Sequence, residues 1–463
     1  MPTGDTTFLT PLAIAMTAAM CLLMVVLPRR YALFPVIAII SFMTLGEQVV
    51  VSGMHFSMMR VLALVGWVRI LVRGEMRGFK MNRIDLVFTL WVLSSFTCSV
   101  LLWRTHENFI NRLGFAYNAL GLYFMFRMLI RDLEDIKRVF RMVALLLIPL
   151  AMMMLNEKLT GANLFSIFGG VSAITRIREG VLRCQGPFAH PILAGSFGAT
   201  LCPLLFALLW QKGKDRLVGI LGIVSALVVT ITSASSGPAF ALIFGLIGLA
   251  MWKWREHLRL VRWGIVATFL GLSLVMNAPV WFILGRVGLF AGSTGYHRAY
   301  IIDHFLRNFS EWWLVGVKDT AHWGALMADV TNEYVWQGVQ GGLLTLLLFI
   351  AVIVQCFRGV GLTVRGMKND SFMNRICVWV LGAALLAHVV NYLSIDYFDQ
   401  NVVNWYLLLG MISTISGAYL SPKKASLARE VRPVALSPSI SQAGSMRVAC
   451  PRPIAGTKLP GRS

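Results

Sequence analysis

Residues 8–30 read FLTPLAIAMTAAMCLLMVVLPRR, and the order of that stretch decides the fold class. The 20 residues from Phe8 to Leu27 carry no charge, and Pro28-Arg29-Arg30 follows them. A helix of about 20 apolar residues covers the ~30 Å hydrocarbon core of a bilayer. A secretory signal peptide places its positive charge before a shorter apolar core and ends in small residues. Here the charge comes after a full-length run, so the segment reads as an uncleaved spanning helix.

The same pattern recurs along the chain. Of 463 residues, 57% are hydrophobic and 14% charged, with a mean hydropathy of +0.71. A soluble domain carries about 25% charged residues, so this chain lacks the polar surface to face water all round. Apolar runs predict spans at 8–27, 31–45, 57–73, 84–103, 112–130, 139–155, 191–210, 217–232, 238–252, 262–282, 333–356, 376–395 and 402–420. Lipid cannot satisfy exposed backbone groups, which leaves helices, and the ~10-residue alternating segments of a membrane β-barrel are not seen. The expectation is an all-α polytopic membrane protein with about 12–13 transmembrane helices over residues 1–420. Two long periplasmic loops fall at about 156–190 and 283–332. Residues 421–463, rich in Ser, Pro and Ala with scattered Lys and Arg, read as a basic disordered cytoplasmic tail.

Alternating these spans with the N-terminus outside places 31 of the 42 Lys and Arg on one side and ten on the other, with Arg60 inside a helix. The net charge of +21 is therefore mostly the positive-inside rule, and no nucleic-acid partner is expected. The partner implied first is the lipid bilayer of a bacterial cytoplasmic (inner) membrane. Cysteines at 21, 98, 184, 202, 356, 377 and 450 form no CxxC pair and no zinc-type spacing. Neither a disulfide framework nor a structural metal is expected, and nothing calls for a cofactor.

Eight of the ten outer basic residues crowd into the two loops: Lys158, Arg176, Arg178 and Arg183 in the first, Arg286, Arg298, Arg307 and Lys318 in the second. Long loops cross a membrane regardless of charge, so solvated side chains are one reading. The other is a pair of loops converging on an anionic ligand, because a guanidinium grips phosphate oxygens at two points and stays charged. Lipid diphosphates, on which bacteria assemble surface sugars, are the anions available at that face.

Local sequence sharpens the second reading. Arg183-Cys184-Gln185-Gly186-Pro187-Phe188-Ala189-His190-Pro191 precedes a span, with Pro191 suited to a helix's first turn. That puts Arg183 and His190 at a helix N-terminus, a natural anion site, although His190 also serves as a plain helix-entry residue. Between Gly295 and Phe305, Tyr300, Ile301, His304 and Phe305 recur at helical spacing. A short helix on the membrane surface is expected there, with Arg298 either on a ligand or snorkelling to headgroups. Asn332 suits a helix cap and Glu333 its first turn, while a carboxylate beside a lipid-facing pocket also suits a general base. Both readings of these two residues stand.

Together these motifs resemble the O-antigen ligase and Wzy-type polysaccharide polymerase superfamily over about residues 57–420. The matching stretches are Arg183 to Pro191, Ser235-Ser236-Gly237-Pro238, Tyr296-His297-Arg298, and Thr331-Asn332-Glu333-Tyr334 followed by Gly338 and Gly341-Gly342. The resemblance implies a metal-independent glycosyltransferase using an undecaprenyl-diphosphate-linked oligosaccharide on the periplasmic face. Arg183, His190 and Arg298 would bind that substrate, the arginines stabilising the leaving diphosphate. Glu333, Asn332 and His322 are the catalytic candidates, with Asp329 a further base. Ligases hold His where this chain has Thr331, which points to polymerisation of exopolysaccharide, capsule or O-antigen rather than ligation to a lipid A-core acceptor. Other polysaccharide-assembly proteins are then implied as partners.

Two other classes remain open. His388, Asn391 and Tyr392, followed by Asp396 and Asp399, fit a transporter pathway or simple helix-to-helix hydrogen bonding. A non-catalytic membrane subunit of an assembly complex is the third.

Overall fold

The apolar runs fold as helices because each closes its backbone hydrogen bonds within itself. The computed structural model describes residues 9–44, 46–51, 54–283, 295–398 and 400–420. Arg286, Asp399 and the tail at 421–463, all named above, lie outside them. In chain order the helices are α1 (Pro11–Val26), α2 (Phe34–Phe42), α3 (Met58–Val72), α4 (Arg83–Trp103), α5 (His106–Leu129), α6 (Leu133–Thr160), α7 (Pro191–Leu205) and α8 (Lys214–Thr232). Then come α9 (Ser236–Ala250), α10 (Leu258–Val275), α11 (Gly295–Arg307), α12 (Phe309–Trp312), α13 (Glu333–Gly366), α14 (Phe372–Asn391) and α15 (Gln400–Leu420). Two antiparallel hairpins complete the described elements: β1 (Gln48–Val51) with β2 (Met54–Ser57), and β3 (Arg176–Arg178) with β4 (Val181–Arg183).

The fold class is the expected one: a helical chain with nine helices among the described residues long and apolar enough to cross a membrane. They are α4, α6 to α10 and α13 to α15. The remaining predicted spans form shorter or more polar helices. The span at 31–45 is the plainest case, a nine-residue α2 about 13 Å long at ~1.5 Å per residue. Met43 follows it in extended conformation, and Met43, Thr44 and Glu47 are all buried. Non-helical backbone at membrane depth is tolerated where protein surrounds it. Accordingly the Met43 carbonyl accepts from Gln400 Nε2 at 3.1 Å, and the Glu47 carboxylate accepts from Thr10 N at 2.9 Å and Thr10 Oγ1 at 2.7 Å.

The long helices have two ends of different electrostatic character. At one end, buried and half-buried cations are matched to acids. Arg127 Nε donates to Asp85 at 2.8 Å, Arg69 Nη2 to Glu75 at 3.0 Å, and Arg141 Nη2 to Asp215 at 2.6 Å. Arg29 and Arg138 share Asp135, and Lys137 reaches Glu134 at 2.6 Å. At the other end lie the two long loops, the starts of α7, α9, α13 and α15, and the turn after α14.

A break in α13 seats the second loop there. Gly342 has φ 72° and ψ −174°, so the helix stops and restarts. The freed Val339 carbonyl accepts from Val317 N at 2.9 Å, and Leu343 N donates to the Trp313 carbonyl at 2.8 Å. A Cβ at Gly342 would lie 2.5 Å from the Leu314 carbonyl oxygen, so only glycine serves both the dihedral and the approach. Phe305 stacks on Trp312 with ring centroids 3.9 Å apart and heads a separate small core with Ile301, Trp323, Val335 and Val339.

Beyond the break, the rest of α13 carries the chain from one end to the other. Reporter fusions after Ser310 and after Lys368 are expected on opposite sides of the membrane. The same side for both would contradict a crossing by α13.

Candidate anion site

Arg183 closes a two-residue hairpin. Glu179 (φ 49°) and Gly180 (φ 77°) form a turn with both residues left-handed, the twist that suits a tight hairpin. The register pairs Arg176 directly with Arg183, and Arg178, two residues from Arg176, shares its face. Like charges directly opposite one another destabilise a strand pair, so this face accumulates positive charge against its own stability.

The loop behind the hairpin is held rigidly. Glu157, buried at the end of α6, accepts from Gln185 N at 3.1 Å, Gly186 N at 2.9 Å and Thr175 Oγ1 at 3.2 Å. Asn163 Nδ2 donates to the Gly186 carbonyl at 2.8 Å. Cys184 N donates to the Thr232 carbonyl at 3.1 Å, fixing the loop to the end of α8. From this mount Arg183 Nη2 donates to Ser235 Oγ at 2.7 Å, while its buried Nε has no partner among the described residues.

Ser235 opens α9 without a side-chain cap, and Ala234 before it is held at φ 45°. A non-glycine residue there costs ~1–3 kcal/mol and persists only where its surroundings impose it. Two residues on, Gly237 lets the 392–398 turn approach. A Cβ at Gly237 would lie 2.6 Å from Ser394 Cβ and 3.6 Å from Arg298 Nη2. Arg298 projects from α11, 8% exposed, and its Nε also has no hydrogen-bond partner among the described residues. Two arginines from two loops, separated by 115 positions in sequence, therefore meet at the start of α9. Among the described residues neither forms an ion pair.

The surroundings feel this charge. Burial, then Arg178 and Arg176, lowers the Arg183 pKa; burial, then Arg178, lowers that of Arg298. His190 is pushed down to about 4, first by burial and then by Arg183, Arg176 and Arg178. It caps α7, its Nδ1 accepting from Ile192 N at 3.2 Å, so the neutral ring carries its proton on Nε2. His190 is thus both the helix-entry residue and a neutral N–H donor near the arginines.

The other candidates lie elsewhere. Asn332 caps α13, its Oδ1 accepting from Tyr334 N at 3.0 Å and Val335 N at 3.2 Å; its buried Nδ2 has no partner among the described residues. Glu333 is 5% exposed and engaged at both oxygens, by Gln337 Nε2 at 2.7 Å and by Tyr397 N. With Glu333 N donating to the Tyr392 carbonyl at 2.9 Å, it locks the turn after α14 to the start of α13. His322 is exposed on the second loop, its Nε2 2.7 Å from Glu311 Oε2. Arg298, Arg183 and His190 come together; Glu333 and Asn332 hold the adjoining turn; His322 stays on the surface.

Sequence reading gave less weight to Asp396, which sits in that turn two residues from Ser394. Burial, then the charge of Asp329, raises its carboxyl to about 6. His388, Asn391 and Tyr397 bond among themselves: His388 Nδ1 lies 2.8 Å from Tyr397 Oη, and Asn391 Nδ2 donates to that oxygen at 3.0 Å. Ser196 Oγ of α7 donates to Asn391 Oδ1 at 3.2 Å. Among the described residues, no three His, Cys, Asp or Glu side chains group as metal ligands. In comparisons with known proteins, no family model matches the chain and no curated protein matches it.

The electrostatics give a direct check. By NMR the His190 ring should titrate near 4, and Arg183→Ala should raise that value because removing a positive neighbour favours protonation. An ordinary value of about 6.5 in the intact protein would contradict the geometry.

Proposed function

We propose that the protein is a membrane glycosyltransferase of the O-antigen ligase and polysaccharide polymerase type, taking an undecaprenyl-diphosphate-linked glycan as donor on the periplasmic face. One observation carries the reading: buried Arg298 and half-buried Arg183 converge at the start of α9, neither in an ion pair among the described residues. A buried guanidinium without a counter-charge costs several kcal/mol, which a bound anion removes. A diphosphate suits two guanidiniums and a helix N-terminus, and the apolar helices beside it suit a polyprenyl tail. The positive-inside count supports an outward-facing position for this end.

In the proposed reaction the acceptor hydroxyl oxygen attacks the anomeric carbon and the bond from that carbon to the diphosphate oxygen breaks. The carrier diphosphate leaves with the electron pair. Arg183 and Arg298 stabilise the charge developing on it, and neutral His190 donates a hydrogen bond from Nε2. Asp396 is the proposed base that takes the hydroxyl proton. It is supported over Glu333, whose oxygens are engaged in the fold, and over His322, which pairs with Glu311. Thr331, where ligases hold His, favours growth of a surface polysaccharide over ligation. The internal bonding of His388, Asn391 and Tyr397 suits helix packing and gives a transport pathway no support.

Reconstituted protein supplied with lipid-linked oligosaccharide should lengthen the glycan on its carrier with no net flux across the vesicle. Flux without lengthening would contradict the reading. Losing a donor to the leaving group costs ~10²–10³ in rate, so Arg298→Ala should fall in that range. Arg183→Lys keeps charge but not the two-pronged grip, and should also be impaired. Wild-type glycan length in both would remove the arginines from the site.

The pH profile tests the base. Asp396 acts when deprotonated, so lengthening should decline as pH falls through about 6. Asp396→Asn should lose that limb and ~10²–10⁴ in rate. An unchanged rate and profile would exclude Asp396.

A further inference from the structure

At the opposite end of the helices from Arg183, three basic connections meet on one aromatic side chain. Phe372, at the start of α14, makes an edge contact with Trp210 after α7 at 5.8 Å and with Trp252 after α9 at 5.7 Å between ring centroids. Trp252 lies beneath two guanidiniums, Arg255 at 4.6 Å and Arg375 at 5.7 Å from its ring centroid. Phe372 and Arg375 are three residues apart on α14 and so share a face.

Several partly or fully buried cations at this end are matched to acids, and Arg375 is not. It appears in no ion pair among the described residues, and its buried Nε has no hydrogen-bond partner there. Beside Trp210, the buried Gln211 Nε2 is a second donor without a partner among the described residues. Trp210 and Phe372 are themselves exposed, at 43% and 41%. Arg255 is held over the Trp252 ring by its bonds to the Trp252 carbonyl at 3.1 Å and to exposed Glu256 at 3.4 Å. Two guanidiniums over that ring, the unpartnered Arg375 Nε and exposed aromatic rings at the helix ends suit a phosphate with acyl chains attached. The rings lie at headgroup level and the guanidiniums reach the phosphodiester oxygens.

We infer that Arg255, Arg375, Gln211 and the Trp252 face form a binding site for the headgroup phosphate of an anionic phospholipid such as phosphatidylglycerol. The site is independent of the donor site and of the reaction proposed there. It ties the ends of α7, α9 and α14 together, so its occupancy stabilises the three helices whose far ends abut the arginine pair.

Native mass spectrometry of the full chain, from bilayers of phosphatidylglycerol and phosphatidylethanolamine, tests the assignment. One phosphatidylglycerol should remain bound at collision energies that strip the rest. Arg255→Gln with Arg375→Gln should weaken its retention about tenfold or more, since charge-assisted hydrogen bonds are lost. Lys368→Gln, which removes an exposed charge at the same end, should not. Arg375→Lys should fall between, which keeps the test informative if the double variant misfolds. Equal loss in Lys368→Gln, no loss in the double variant, or equal retention of phosphatidylethanolamine would each overturn the site. Inorganic phosphate at millimolar concentration should neither displace the lipid nor raise the melting temperature. If it does both as effectively as the lipid, the site is one for a free anion and the lipid assignment fails.

Discussion

A guanidinium withdrawn from water needs a negative partner, and this protein answers that constraint differently at its two ends. Asp85 and Glu75 meet buried cations at one end, and Asp135 and Asp215 meet half-buried ones. At the other, acids are present but face elsewhere: Asp303 pairs with exposed Arg307, Glu311 with His322, and Glu157 with backbone amides. Among the described residues Arg183 and Arg298 are in no ion pair, and Arg178 already crowds both. Breaking or omitting one partner of a buried pair costs about 3–5 kcal/mol, so such an arrangement persists when an anion completes it.

The rest of the fold serves that arrangement. Glu157 gathers the amides behind Arg183, and Ser235 receives its guanidinium. The break at Gly342 frees the Val339 carbonyl that seats the second loop and hence α11 with Arg298. Glu333 clamps the turn that carries Ser394 and Asp396 against the start of α13. Each contact joins segments far apart in sequence, so the site exists only when the long helices have packed.

Much of this was legible in the sequence, for identifiable reasons. Apolar length and basic flanks give the helices directly, and Pro191 and Asn332 mark the starts of α7 and α13 through their own backbone chemistry. Helical spacing located α11, and the placement of Arg183 and Arg298 against the charge rule singled them out. What stayed hidden depends on packing. The hairpin at Glu179-Gly180 lacks the Asn-Gly or Asp-Gly signal such turns usually show. The shortening of α2 depends on Gln400, hundreds of residues away, satisfying Met43. Whether Glu333 faces a substrate or Tyr397 is set by where the turn after α14 docks, which periodicity does not encode.

The central claim is that Arg183 and Arg298 hold the diphosphate of a lipid carrier. A cryo-electron microscopy map of the protein with undecaprenyl diphosphate tests it most directly. The account predicts density for both phosphates between Arg183 and Arg298 at the start of α9, with the polyprenyl chain leading into the surrounding lipid. Diphosphate density elsewhere, with both guanidiniums unchanged, would contradict it.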